Sequence, residues 1–235
     1  MPDVPTDELP DGPVGPLVPG WSPRPMPQPV VLEGRWVRAV PIAAEHTDDL
    51  ADLCLDPRLW TYRPAVRPTT REEVREQLVE PLAARTDAVT FVFVPHSGPT
   101  AGRASGVATL FPIVPGNGVA EISGVLWSPA MRRTVASTEA VHLLIGHLID
   151  DLGYRRVEWK CDSLNEPSRR AALRLGFTEE GRFRQHMVVH GRSRDTDWFS
   201  LLDRDWPALR ERQRRWLDPA NHDADGVQRR RLADC

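Results

Sequence analysis

The segment between a predicted strand and the longest predicted helix could bind a phosphate group. It reads Ser-Pro-Ala-Met-Arg-Arg-Thr-Val-Ala-Ser-Thr-Glu over residues 128–139. A helix N-terminus offers unpaired N–H groups and the positive end of the helix dipole, which suits a pyrophosphate. Arg132 and Arg133 would add positive charge. The alternative is an ordinary helix start with solvated arginines.

Polar side chains near the ends of two predicted strands form a second candidate cluster. Glu121 lies among apolar neighbours on a strand that ends at Trp127, where a carboxylate is costly unless it has a partner or a chemical task. Asn165 and Ser168 open the helix after the next strand, and both side chains can face the strand ends. The structural alternatives are a carboxylate at the sheet rim and an N-cap with a first-turn serine.

The elements that must position these groups alternate between strands and helices. The predicted strands are residues 30–42, 89–94, 105–111, 119–127, 156–161, 177–189 and 192–202, and the predicted helices are 47–54, 70–85, 134–152, 165–175 and 205–217. We expect Pro81 to kink or split the second helix and Pro112 to end the third strand. This order predicts an α+β domain with one mixed sheet, whose β-α-β-α centre spans residues 119–175.

Composition excludes several classes of protein. The chain has 235 residues, of which 40% are hydrophobic and 27% charged, and its net charge is −3. No segment carries the basic excess of a general nucleic-acid-binding protein. Three separated cysteines and seven scattered histidines predict no metal site and favour a reduced compartment. No stretch has the pattern of a membrane span or a secretory signal, so we expect a cytoplasmic protein.

Proline and charge mark the two ends of the chain. Ten of the 23 prolines lie in residues 1–29, which carry four carboxylates against one arginine, and we predict a flexible extension there. Residues 218–235 are predicted to form a polar tail, so the folded domain would span residues 30–217. Of the 30 cationic residues only Lys160 is a lysine, a bias that reflects either genome composition or phosphate recognition.

Three segments together resemble the GNAT superfamily of acyl-CoA-dependent N-acyltransferases. They are Glu-Ile-Ser-Gly-Val-Leu-Trp at 121–127, the helix entry at 132–139, and Asn-Glu-Pro-Ser-Arg-Arg-Ala-Ala-Leu-Arg-Leu-Gly-Phe at 165–177. The branch is that of the ribosomal-protein N-acetyltransferases of the Rim type, whose first strand and last hairpin are similar to residues 32–42 and 183–200. The resemblance covers about residues 30–207.

The resemblance implies a single domain with three α/β-like layers, whose mostly antiparallel mixed sheet splays at two central parallel strands. The implied cosubstrate, acetyl-CoA, would lie between these strands, and no metal is implied. The residues expected to bind it are Val125, Leu126, Trp127, Arg132, Arg133, Thr134, Val135, Ala136, Ser137, Thr138, Asn165 and Ser168. The family pattern has glycine at the position of Val135, so we expect this valine to restrict the backbone and alter the phosphate contacts.

The family chemistry is direct attack of an amine on the thioester. An amine is protonated at pH 7 and needs a base, for which Glu121 is the candidate. Ser168 would protonate the departing thiolate, and a strand-end N–H near Leu126 or Trp127 would hold the oxyanion. Cys161, near the cleft, is interpreted as a buried strand thiol.

The amine acceptor stays open between a protein N-terminal α-amine and a small molecule. The candidate acceptor residues are Arg184, Asp195 and Trp198, with Asp197, Arg182 and Arg192 as further charged groups on the same hairpin. An arginine there would favour a carboxylated acyl group, such as succinyl, or a carboxylated acceptor.

Two other functions stay open beside the enzyme. A non-catalytic acyl-CoA sensor is favoured by Val135, and a partner-binding protein would act through the Pro-rich extension. The partners expected for the enzyme are an acyl-CoA and an amine, without nucleic acid or membrane. We expect a monomer or a homodimer.

Overall fold

The computed structural model describes residues 14–223 and 227–235. Eight strands form one sheet: β1 Leu32–Glu33, β2 Val37–Pro41, β3 Val89–Pro95, β4 Gly106–Val114, β5 Val119–Trp127, β6 Arg156–Asp162, β7 Thr178–Val189 and β8 Arg192–Leu202. Their order across the sheet is β1-β2-β3-β4-β5-β6-β8-β7. Within the described ranges only β5 and β6 pair in parallel. The predicted mixed, mostly antiparallel sheet is confirmed.

Helices cover both faces of this sheet. On one face, here the α1 face, lie α1 (Thr47–Cys54), α2 (Arg71–Val74) and α3 (Glu80–Ala83). On the other, the α4 face, lie α4 (Val135–Gly146), α5 (Glu166–Leu175) and α6 (Trp206–Leu217). Successive strand side chains point to opposite faces. β5 therefore sends Ala120 and Ile122 into the α4-face core and Glu121 towards the α1 face.

The two prolines within predicted elements have different effects. The helix predicted over 70–85 is divided, as expected at Pro81, into α2, the π-helical turn Arg75–Val79 and α3, and Pro81 lies in the first turn of α3, where proline is tolerated. β4, by contrast, continues through Pro112. Its register against β5 shifts between Leu110 and Ile113, so the proline lies at an irregularity of the ladder.

The two helices that begin beside the strand ends start at the residues expected from their caps. The Thr134 hydroxyl accepts the Ser137 N–H at 3.3 Å, and the Asn165 Oδ1 accepts the Ser168 N–H at 3.2 Å. α5 ends at Gly176, whose φ is +98°. These caps fix where α4 and α5 open towards the cleft between β5 and β6.

Both ends of the described chain contact the domain. Trp21 donates its indole N–H to the Gly116 carbonyl at 3.0 Å. Near the C-terminus Leu232 is buried, and the Trp216 indole N–H donates to the Gln228 side chain at 2.7 Å. A few aromatic and apolar side chains thus attach these otherwise polar segments to the domain surface, and their flexibility stays a prediction. The first thirteen residues of the extension lie outside the described chain, and the boundaries at 29/30 and 217/218 stay predictions.

Candidate active site

The two parallel strands at the centre of the sheet separate after a short paired stretch. β5 and β6 pair over three positions, from Val119 opposite Arg156 to Glu121 opposite Glu158. Beyond them β5 bulges at Gly124, where φ is +63° and the register against β4 shifts. A bulge bends its strand and increases the local twist. A cleft lined by backbone groups outside the β5–β6 ladder therefore opens between Glu121 and the ends of both strands.

Glu121 is the carboxylate at the start of this cleft. Its residue is only 6% exposed, and its Oε2 lies 2.6 Å from the Lys160 Nζ. Burial raises the pKa of Glu121 above its ordinary value, and the Lys160 ammonium opposes that rise. The ammonium also lies 4.0 Å from the centroid of the Trp198 ring. A carboxylate with a raised pKa is suited to take a proton near neutral pH.

Ser168 approaches the same cleft from the α4 face. Its hydroxyl oxygen accepts the Trp159 indole N–H at 3.0 Å and lies beside the Cys161 thiol. Burial raises the pKa of Cys161 to about 11, so this residue is a neutral thiol, and its interpretation as a buried strand thiol is confirmed. Glu121 and Ser168 thus flank the gap between the strands from opposite faces of the sheet.

The turn before α4 presents unpaired donors and cations. Among the described residues, the N–H groups of Val135 and Ala136 have no acceptor, as expected in the first turn of a helix. Arg132 and Arg133 are exposed, and neither forms an ion pair within the described chain. N–H groups at a helix start beside two free guanidinium groups fit a pyrophosphate.

The backbone strain expected at Val135 lies elsewhere. Val135 is the first helical residue and does not have a positive φ, whereas Arg133 has a φ of +60°. The left-handed conformation of this turn is therefore adopted two residues earlier, and a valine fits its position without strain. The positive φ that a glycine would allow is therefore not needed at Val135, and the expected change in the phosphate contacts stays a prediction.

The hydroxyl groups of this turn are engaged with its own backbone. Ser137 donates to the Thr134 carbonyl at 2.9 Å, and Thr134 donates to the Met131 carbonyl at 2.7 Å. Thr138 is buried and accepts from the Arg174 guanidinium at 3.0 Å. The groups left for a ligand are therefore mainly backbone N–H groups and arginines.

The end of β5 forms the wall of the cleft. Val125 is half-buried, while Leu126 is buried with the core of the α1 face. Trp127 packs on Phe93 with ring centroids 5.1 Å apart, and its ring fills the place where a Cβ on Gly106 would lie. These contacts hold the β4 side of β5 firmly and leave its other edge facing β6.

The predicted acceptor residues separate into two groups. Trp198 lies opposite Lys160 in the β6–β8 ladder, on the face of Glu121. Asp195 accepts the Gln185 N–H at 2.8 Å and shapes the hairpin, and Arg184 is exposed. The structure thus brings only Trp198 close to Glu121.

Asp197 faces the other side of the sheet. It is completely buried and lies 2.6 Å from a guanidinium nitrogen of each of Arg169 and Arg182. These arginines lower the pKa of Asp197, with the hydrogen bond from Arg182 as the largest cause. Arg169 and Asp197 therefore stabilise the α5–hairpin contact, while Arg182 pairs with Asp197 within the hairpin. The pattern of alternating faces along β8 could have indicated the position of Asp197.

Glu139 is a long-range anchor that local sequence does not reveal. Its carboxylate accepts the backbone N–H groups of Arg35, Trp36 and Val37 at 3.0, 2.6 and 3.0 Å. A Cβ on Gly34 would lie 2.5 Å from the Glu139 Oε2. The carboxylate thereby ties the start of α4 to the β1–β2 turn, and a glutamate beside a glycine-containing turn is not a recognisable signal on its own.

Two further arginines lie on the α1 face near Glu121. Arg63, between α1 and α2, donates to the Gly124 carbonyl at 3.0 Å. Arg194 on β8 has a side chain only 12% exposed, and its positive charge acts on Glu121. Neither arginine is indicated by the sequence, since Arg63 is far from Glu121 along the chain and Arg194 is one of many hairpin arginines.

Comparison with known proteins agrees with this geometry. The family described as "Acetyltransferase (GNAT) domain" matches residues 37–178. A solved GCN5-related N-acetyltransferase from Brucella melitensis is 41% identical, and the match covers 92% of this chain and 98% of that one with a TM-score of 0.87. The chain belongs to the GNAT acetyltransferase family, as its motifs indicated.

Two relatives carry names that refer to the ribosome. A Bacillus subtilis (strain 168) protein named "Putative ribosomal N-acetyltransferase YdaF" is 38% identical over 69 residues, 29% of this chain and 38% of that protein. The match therefore spans well under two thirds of that relative. A Salmonella typhimurium acetyl transferase, described as modifying the N-terminal serine of ribosomal protein L7/L12, shares the fold with a TM-score of 0.64 at 21% identity, over 74% of this chain and 99% of that one. The second likeness shows the fold alone.

The described residues contain neither a helix that could span a membrane nor a cluster of metal-binding side chains. No helix in residues 14–223 and 227–235 is both long and apolar enough to cross a membrane. No group of three or more His, Cys, Asp or Glu side chains in the same ranges could hold a metal ion.

Proposed function

We propose that this protein transfers the acetyl group of acetyl-CoA to a primary amine by direct attack. The observation that carries the proposal is the cleft between β5 and β6, which has Glu121 on one face and Ser168 on the other. A base and a proton donor on opposite sides of one gap are what a transfer between two ligands requires. Membership of the GNAT family supplies the cosubstrate class.

The turn before α4 would bind the cosubstrate. The N–H groups of Val135 and Ala136 would donate to its pyrophosphate, and Arg132 and Arg133 would balance the charge. Asn165 uses its Oδ1 as the α5 cap, which leaves its amide NH₂ to donate to the pantetheine arm. The thioester would then lie in the cleft.

Glu121 would take the proton from the attacking amine. The amine nitrogen forms a bond to the acetyl carbonyl carbon, and the resulting oxyanion accepts an N–H at the open edge of β5 near Leu126 or Trp127. As the carbon–sulfur bond breaks, Ser168 would protonate the thiolate and be reprotonated from solvent. The products are the N-acetylated amine and free CoA, and the transfer has no covalent enzyme intermediate.

The ribosomal names of the relatives favour a protein N-terminal amine as acceptor. An acceptor on the ribosome or its proteins would place the activity in the cytoplasm. A small-molecule amine is the second candidate, because the face around Glu121 also carries the aromatic ring of Trp198, against which a small amine could pack.

Two measurements on the full chain test the proposal. Calorimetry with acetyl-CoA should show binding, and thiol release should occur with at least one member of a panel of N-terminal peptides and small amines. Binding without thiol release for every amine would favour the non-catalytic sensor. Absence of acetyl-CoA binding would overturn both.

A further inference from the structure

The face of the sheet around Glu121 carries one cation that no carboxylate pairs. Lys160 pairs with Glu121 at 2.6 Å, and Arg156 pairs with Glu158 and Glu180 at 2.9 and 2.5 Å. Arg194 reaches Asp162 only at 4.0 Å, and this is a loose contact for an ion pair. Arg63, which donates to the β5 bulge, has no carboxylate partner among the described residues.

Arg63 is the cation without a carboxylate. No Asp or Glu in the described ranges lies within 4.0 Å of its guanidinium, which donates one hydrogen bond, to the Gly124 carbonyl. Burial lowers the pKa of Arg63 from its ordinary value, because the charged form loses hydration there. A partly buried guanidinium held against the β5 bulge with unused N–H groups is suited to an anionic ligand.

Further unused donors line the same face. The Nε of Arg63, the Nε of Arg194 and the Nε1 of Trp198 are all buried without a hydrogen-bond partner in the described chain. Such orphaned donors are rare in folded proteins and indicate a missing partner. Arg194 and Trp198 lie on β8 on the same face as Glu121, the proposed base, and Arg63 contacts β5 three residues beyond it, at Gly124.

We propose that the acceptor is an amine that also carries a carboxylate, which Arg63 and Arg194 bind while Glu121 receives the amine. This inference rests on the proposed acetyl transfer and names the class of its acceptor. A carboxylate would pair the Arg63 guanidinium and offer two acceptor oxygens to its fork of N–H groups. The carboxylate can come from a free amino acid or from an acidic side chain near a peptide N-terminus.

The test compares matched acceptors that differ only in charge. With acetyl-CoA as donor, an L-amino acid is compared with its carboxamide, and a peptide with aspartate in second position is compared with its asparagine counterpart. We expect kcat/KM to be at least about ten-fold higher for the carboxylate member of one pair, the value of a charge-assisted contact. The pair that shows the preference identifies the source of the carboxylate.

Arginine variants then locate the contact. Arg63→Gln and Arg194→Gln should each raise KM for the preferred carboxylate acceptor and leave KM for its neutral counterpart unchanged. Within one variant, the ratio of KM for the carboxylate acceptor to KM for its neutral counterpart is independent of any change in the pKa of Glu121, because that change affects both acceptors. Arg204→Gln, which removes an exposed charge beyond the end of β8, should retain the wild-type ratio.

Three results would overturn the inference. Equal kcat/KM for both members of each pair would be compatible with acetyl transfer but would show that the acceptor needs no carboxylate. A preference unaffected by either arginine variant would place the contact elsewhere. A preference for succinyl-CoA over acetyl-CoA that Arg63→Gln abolishes would assign the arginine to the acyl group. Absence of transfer to every amine would instead remove the proposed function itself.

Discussion

Glu121 on β5 and Lys160 on β6 form an ion pair of 2.6 Å where the parallel ladder ends. The pair holds the carboxylate at the mouth of the cleft, and Lys160 is held in turn against the Trp198 ring. Lys160 is the single lysine of the chain. The one lysine of an arginine-rich chain thus lies beside the proposed base.

Replacing Lys160 should shift the pH dependence of the reaction. Burial raises the pKa of Glu121 and Lys160 counteracts it, so Lys160→Met should raise that pKa further. Because the base must be ionised, the acidic limb of kcat/KM should move to higher pH. Lys160→Arg, which keeps the charge, should retain the wild-type limb. A limb at the wild-type position in Lys160→Met would show that the ion pair does not tune the base.

Arg132 and Arg133 should contribute to cosubstrate binding. Each replacement by Gln should raise KM for acetyl-CoA about three- to ten-fold with little change in kcat, as expected for exposed charge-assisted contacts of about 1 kcal/mol. Raising the salt concentration should likewise raise the KM of the wild-type protein for acetyl-CoA, because salt screens these charges. Arg204→Gln is the matched control. Unchanged KM in both variants would leave the backbone N–H groups as the sole phosphate ligands.

Ser168 should affect the chemical step. Ser168→Ala should lower kcat about 10²-fold, within the range of general acid catalysis, with a smaller effect on KM. The variant also leaves the Trp159 indole N–H without its acceptor, so a thermal melt is measured alongside. Ser163→Ala, in the loop before α5, is the control. Wild-type kcat in a folded Ser168→Ala would assign the serine to structure alone.

Gly34 should be needed for stability because of Glu139. A Cβ at position 34 would lie 2.5 Å from the Glu139 Oε2 and 2.6 Å from the Val37 carbonyl oxygen. Gly34→Ala should therefore lower the free energy of unfolding by about 1–3 kcal/mol, the cost of overpacking. Gly116→Ala, where no atom lies within 4 Å of the added methyl, should change it little. Denaturant titration of both variants checks this, and equal stabilities would contradict the anchor.

The sequence predicts an element correctly where the contacts that form it join residues close together in the chain. The N-cap Asn165 acts within three residues, so the sequence predicts the start of α5 closely. The helix predicted over 134–152 is α4 followed by a π-helical turn, His147–Asp151, which ends one residue earlier than predicted. The strand 119–127 follows from its own β-branched and apolar residues. Together with the predicted strand 156–161, these elements place the cleft.

Contacts between distant residues could not be read in the same way. Lys160 reaches Glu121 because of the β5–β6 register, and Arg63 reaches Gly124 from a loop on the α1 face. Neither register nor loop path is encoded in local spacing. Asp197 was predicted beside the acceptor, and the alternation of faces along β8 instead places it under α5 with Arg169.

The most direct test of the account is the pH profile of acetyl transfer for the wild-type protein and Glu121→Gln. The wild-type kcat/KM should rise with pH through the raised pKa of Glu121 and then level, since the ionised carboxylate is the base. Glu121→Gln should lose about 10²- to 10⁴-fold in kcat and should lack that limb. Glu158→Gln removes a neighbouring carboxylate that raises the pKa of Glu121, so it should keep the rate and move the limb to lower pH. A Glu121→Gln protein with the wild-type rate and the same acidic limb would contradict the assignment of Glu121 as the base.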